Sequence, residues 1–112
     1  MKFYYIKKKE DFSKVFRSKN YLSCDSFTIN YSTKNRLVDK NSPRYGIVTS
    51  KKIGNAVQRN FAKRRVKALK NIFLNFGKAE LDYVVIVKKK LINEKFKKLS
   101  SQLEEALNRI KK

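Results

Sequence analysis

Asp82-Tyr83-Val84-Val85-Ile86-Val87-Lys88 holds the longest unbroken apolar run in the chain, five residues between two charges. A run this short and this rich in β-branched residues predicts a strand covered on both faces, and it falls far below the ~20 residues of a membrane span. Upstream, residues 56–76 carry a helical pattern, and before them residues 45–50 (Tyr-Gly-Ile-Val-Thr-Ser) predict another strand. Strand, helix, strand is a βαβ unit with parallel strands. Downstream, residues 92–110 place Ile92, Phe96, Leu99, Leu103, Ala106 and Ile110 at spacings of four and three, an amphipathic helix that covers one sheet face. Towards the N-terminus, residues 26–31 alternate, with Phe27, Ile29 and Tyr31 on one side, as a half-buried strand does. Residues 10–18 place Phe12, Val15 and Phe16 on one face of a short helix, and the turn formers of residues 32–43 predict an exposed hairpin loop. With no repeat, linker or low-complexity segment, residues 1–112 are expected to form one small α+β domain.

The 112 residues hold 29 Lys and Arg against 9 Asp and Glu, a formal charge of +20 with no histidine. Without histidine, and with Cys24 the single cysteine, a Ser-His-Asp or Cys-His nucleophile, an imidazole base, a Cys/His zinc cluster and an internal disulfide are all excluded. The adjacent acids Glu10-Asp11 and Glu104-Glu105 read as helix-surface charge, not metal sites. Phe3 to Ile6, followed by Lys7-Lys8-Lys9, falls short of the roughly 7–15 apolar residues of a signal-peptide core. A soluble cytoplasmic protein with a free thiol is expected.

The charge is concentrated. Between Asp39 and Glu80 there are eleven cations and no acid. A solvated face usually mixes both signs, so an acid-free stretch points to a partner that supplies the negative charge. Read as one helix at about 100° per residue from Arg59, residues 56–76 gather Lys70, Lys63, Lys67, Asn60 and Arg64 within about 140°, opposite Val57, Phe61, Ala68, Leu69, Ile72, Phe73 and Phe76. Arg65 intrudes on the apolar half and requires a route out or a specific role. Gly54 permits a sharp entry, Asn55 is a good N-cap, and a helix start beside Lys51 and Lys52 suits either a nucleic-acid phosphate or ordinary capping. A basic helix beside a sheet favours RNA over duplex DNA, with Tyr4, Tyr5, Tyr21, Tyr31 and Tyr45 as candidates for stacking on bases or for packing.

The run Ser50-Lys51-Lys52-Ile53-Gly54-Asn55-Ala56-Val57-Gln58-Arg59-Asn60-Phe61-Ala62-Lys63-Arg64 resembles the signature of the bacterial ribonuclease P protein subunit, Lys-Lys-x-Gly-Asn-Ala-Val leading into Arg-Asn-Arg-x-Lys-Arg. The resemblance extends to the first helix, the three strands and the C-terminal helix. It implies an αβββαβα sandwich with a four-stranded central sheet, similar to the ribosomal protein S5 domain 2-like fold, with a left-handed βαβ crossover against the usual hand. It also implies a partner for a catalytic RNA that hydrolyses the 5′ leader from precursor tRNA, one protein per RNA, with Mg2+ held by the RNA and substrate. Carried over from the motif, Lys51, Lys52, Gly54, Asn55, Arg59, Asn60, Lys63 and Arg64 face the catalytic RNA. Phe12 and Phe16 match the aromatics of a cleft for the single-stranded leader, where they serve as either cleft or core.

Two positions depart from the motif. Phe61 stands where the third motif position is usually Arg, and Lys67 where a later Arg is usual. Arg65, one turn beyond Phe61, is expected to restore the missing cation. A strand position often aromatic in the family is Asn30, with Tyr31 beside it on the opposite face, so a leader contact from Asn30 is polar. A ribosomal or general RNA-binding protein accounts for the charge and the aromatics, but not for the ordered run from Lys51 to Asn60. A cationic membrane-surface protein fits less well, because the face opposite the cations is needed for the core.

Overall fold

The computed structural model describes residues 6, 8–34 and 43–110. Its sheet runs in the order β1-β2-β4-β3, with β1 at Tyr21–Ser23, β2 at Phe27–Thr33, β3 at Arg44–Val48 and β4 at Leu81–Val87. The apolar run at residues 82–88 thus lies inside the sheet, antiparallel to β2 and parallel to β3. Flanked by strands on both edges, β4 is buried at every position but Ile86. The expected βαβ unit leads from β3 through α2 (Ala56–Lys67) and α3 (Lys70–Phe76) into β4.

Strand alternation gives each sheet face its own partners. Phe27, Ile29, Tyr45, Leu81, Tyr83, Val85 and Val87 point into the main core with Val66, Leu69 and Phe73 from the α2–α3 side and Leu99, Leu103 and Leu107 from α4 (Phe96–Arg109). Tyr45 and Phe73 stack there at 4.2 Å with 4° between ring planes, and Tyr83 leans on Phe73 at 5.9 Å. The opposite face is covered only in part: α1 (Lys9–Arg17) buries Val15 against Val84, and Phe12, Val48 and Ile86 remain half-buried. Tyr45 is therefore a core residue, and the half-open side of the sheet is the one that α1 flanks.

Several expectations need correction. The helix read over residues 56–76 is two helices, broken after the cap residue Ala68, where Leu69 (φ −89°, ψ 10°) leaves helical geometry. The break turns α3 so that Phe73 reaches Tyr45 while α3 packs on α4, and the single angular reading from Arg59 does not extend past it. Within α2 the buried residues are Ala62 and Val66, whereas Val57 and Phe61 are exposed. α2 packs chiefly on two short 3-10 turns, Lys51–Ile53 and Lys89–Ile92, a footing too narrow to cover the apolar arc expected there.

The helix read from residue 92 starts at Phe96. Before it, the carbonyls of Leu91 and Ile92 accept from Arg65 Nη1 at 2.7 and 3.1 Å, so a side chain takes acceptors that a continuous helix would use internally. The hairpin read over residues 32–43 is not one, because β4 lies between β2 and β3; residues 35–42 of that segment, and Tyr4 and Tyr5, lie outside the described residues. Asp11 is no surface charge either: it is buried 3.4 Å from the Arg44 guanidinium. Cys24 is a free thiol packed on the main core, and burial pushes its pKa up.

Candidate nucleic-acid interface

The entry to α2 is held by interlocking short-range contacts. Ile53 is buried and anchors the 3-10 turn Lys51–Ile53. Gly54 follows at φ +151°, ψ −170°, a region open essentially to glycine alone, and a Cβ there would run into the Gln58 side chain. Gln58 is engaged because Asn55 Oδ1 accepts from Gln58 N–H while Gln58 Oε1 accepts from Asn55 N–H, both at 2.9 Å, a complete capping box. Arg59 Nη1 donates to the Gly54 carbonyl at 2.8 Å and closes the turn from the other side. Of the two readings of this helix start, ordinary capping is present. Of the four first-turn N–H groups that a helix leaves without an internal partner, the box satisfies those of Asn55 and Gln58, and those of Ala56 and Val57 remain.

From this fixed start the cations fan outward. Lys51, Lys52, Asn60, Lys63, Arg64 and Lys67 are exposed, with Ala62 and Val66 buried beneath them. The fold thus brings together most of the residues expected to face RNA. Arg59 and Arg65 are half-buried with their Nη1 groups bonded to backbone carbonyls. Arg65 therefore ties α2 to the Lys89–Ile92 turn, and its guanidinium lies 5.5 Å from the centre of the Phe61 ring.

The second group of expected residues divides between the two sheet faces. On the α1 side, the Phe12 ring lies over Gly46, where an added Cβ would come within 2.5 Å of it. Phe16 is 40% exposed on the same helix. Asn30 pairs with Val84 of β4, and its Oδ1 is buried with no hydrogen-bond partner among the described residues. Tyr31 points the other way and packs on the main core, so it is not brought together with Phe12, Phe16 and Asn30.

The register places one of the candidate stacking tyrosines beside this group: Tyr21 of β1, 64% exposed, pairs with Asn30 and shares its face. A three-residue strand carries too little alternation to reveal this. Two contacts fix α1 to β2 here, Lys14 Nζ donating to the Thr33 carbonyl at 2.6 Å and Ser18 Oγ to that of Tyr31 at 2.8 Å. Beside them lies an open cleft of about 430 Å³ lined by Lys14, Arg17, Ser18, Asn20, Ser32 and Thr33.

Among the described residues no three or more Cys, Asp or Glu side chains are grouped to hold a metal ion. Nor is any helix among them long and apolar enough to cross a membrane.

Comparison with known proteins agrees with this arrangement. The sequence model of the family described as Ribonuclease P matches residues 1–111. The ribonuclease P protein component of Limosilactobacillus fermentum is 35% identical over 108 residues, covering 95% of this chain and 90% of its own. That of Mycoplasma mycoides is 32% identical over 107 residues, covering 95% and 94%. Among solved structures, the RNase P protein from Thermotoga maritima superposes with a TM-score of 0.80 at 27% identity, covering 96% of this chain and 97% of that one. The Staphylococcus aureus RNase P protein gives 0.76 at 28%, covering 95% and 94%. On these matches, and on the Lys51 to Arg64 run that the fold presents at its surface, the chain belongs to the family of ribonuclease P protein components.

Proposed function

We propose that this chain is the RNA-binding, non-catalytic protein subunit of a cytoplasmic ribonuclease P, assisting a catalytic RNA in endonucleolytic removal of the 5′ leader from precursor tRNA. The observation that carries the reading is the exposed cationic face of α2 behind a rigid Gly54-Asn55 entry. In it, Lys51, Lys52, Gly54, Asn55, Arg59, Asn60, Lys63, Arg64, Arg65 and Lys67 form the surface for the catalytic RNA. The lysines and arginines neutralise phosphates, Gly54 and Asn55 set the angle of the helix, and Arg65 adds charge while supporting its neighbours. One protein serves one RNA. Water attacks the scissile phosphodiester, leaving a 3′-hydroxyl on the leader and a 5′-phosphate on the tRNA, and Mg2+ held by RNA and substrate supplies the Lewis-acid chemistry.

The single-stranded leader lies on the half-open sheet face beside α1. Phe16 offers a ring to an unpaired base, and Phe12, wedged over Gly46, fixes the helix that carries it. Asn30 is half-buried on this face, and its Oδ1, lacking a hydrogen-bond partner among the described residues, suits a polar contact to a base edge. Tyr31, on the core side of the same strand, holds that strand in place and acts through Asn30. Contacts of this stacking kind depend less on salt than those of α2 do.

The test is discrimination between precursor and mature tRNA by the assembled particle. Wild type is expected to bind the precursor more tightly, and Phe16→Ala to shrink that preference several-fold without weakening assembly with the RNA. Equal binding of precursor and mature tRNA by the wild-type particle overturns the leader assignment.

A further inference from the structure

Phe61 occupies an unusual place for an aromatic residue. It is 40% exposed on the cationic helix, and Val57, one turn earlier on the same stripe, is 74% exposed. Neither lies among the buried core residues, which on α2 are Ala62 and Val66. The ring is nonetheless held, since the Arg65 guanidinium lies 5.5 Å from its centroid and is itself tethered to the Leu91 and Ile92 carbonyls. Arg64, about 60° around the helix from Phe61, is exposed as well. An apolar platform with one side braced by a fixed cation, set in a stretch with no acid between Asp39 and Glu80, suits an occupant that is negatively charged and flat. A second copy of this chain would bring the same uncompensated charge and be repelled.

We propose that Phe61 is a stacking platform for an unpaired base of the catalytic RNA, replacing with stacking the guanidinium contact that an arginine would make at this position. This rests on the RNA-binding role proposed above for α2. A base laid on Phe61 continues the stack begun by Arg65, and its flanking phosphates fall within reach of the neighbouring cations. Stacking and charge neutralisation leave different signatures, because only the second releases counterions.

Equilibrium binding to ribonuclease P RNA across a salt series separates them. Phe61→Ala and Phe61→Leu are each expected to weaken binding about tenfold with the slope of log K against log salt unchanged, and Phe61→Tyr to keep wild-type affinity. Phe61→Arg is expected to recover affinity with a slope steeper by about one. The thermal midpoint of Phe61→Ala should fall only slightly, since Phe61 is 40% exposed and lies outside the buried core. Unchanged affinity in Phe61→Ala, or full affinity in Phe61→Leu, overturns the proposal, as does concentration-dependent dimerisation of the free protein that Phe61→Ala abolishes. Lys63→Ala is the independent check on the underlying reading. If it loses neither affinity nor slope, the RNA-facing assignment of α2 falls; if it loses both while Phe61→Ala does not, only the platform does.

Discussion

Arg44 shows what one residue contributes where α1 meets the sheet. Its Nε and Nη2 donate to the two carboxylate oxygens of Asp82 at 2.9 and 2.7 Å, with Asp11 of α1 at 3.4 Å. The hydrogen bonds to Asp82 come first among the causes that raise its pKa. Because the Asp82 side chain is only 2% exposed, removing its partner strands a charge in the interior. Arg44→Ala should cost about 3–5 kcal/mol in denaturant unfolding, and Arg44→Ala with Asp82→Ala should recover part of that loss. Tyr83 gives a pH prediction: burial pushes its pKa from 10.0 to about 12, against the hydrogen bond its hydroxyl accepts from Lys78 N–H. A pKa raised on folding means stability fully present below pH 10 and lost as pH climbs towards 12. The Tyr83→Phe variant, less stable at neutral pH, should show a shallower alkaline decline than wild type; an identical slope would contradict the assignment.

Among the elements, those that carry a strong local signal are the ones legible in the chain. β4 was legible because every residue from Tyr83 to Val87 is apolar, and the start of α2 because Gly54 permits a sharp entry and Asn55 is a good N-cap. The break at Ala68-Leu69 was not, since no proline or glycine marks it and the cause is tertiary, the reach of Phe73 to Tyr45. The late start of α4 was hidden for the same reason, its cause being Arg65, 26 residues from Leu91 in sequence. On the candidate site, the α2 cations were visible as a motif, whereas the pairing of Tyr21 with Asn30 needed the register. Two substitutions test these elements. Asn55→Ala should cost about 1 kcal/mol of stability through loss of the cap, read as a lower thermal midpoint. Gly46→Ala should cost about 1–3 kcal/mol, because its Cβ must displace the Phe12 ring, and should weaken precursor binding along with stability.

For the molecule as a whole, +20 on 112 residues makes affinity for any polyanion depend steeply on salt. With about six cations on phosphates, log K for ribonuclease P RNA should fall against log salt with a slope of roughly −4 to −5. Filter binding between low and physiological salt measures it, and a slope near zero would leave the charge unexplained. The central claim is that this charge serves a reaction which the chain does not itself catalyse. Its most direct test is cleavage of a 5′-labelled precursor tRNA at low magnesium by a bacterial ribonuclease P RNA, with and without this protein, beside the protein alone. The account predicts leader release when both are present, little with the RNA alone and none with the protein alone. Cleavage by the protein alone, or RNA activity unaltered by a protein that binds it tightly, would contradict it.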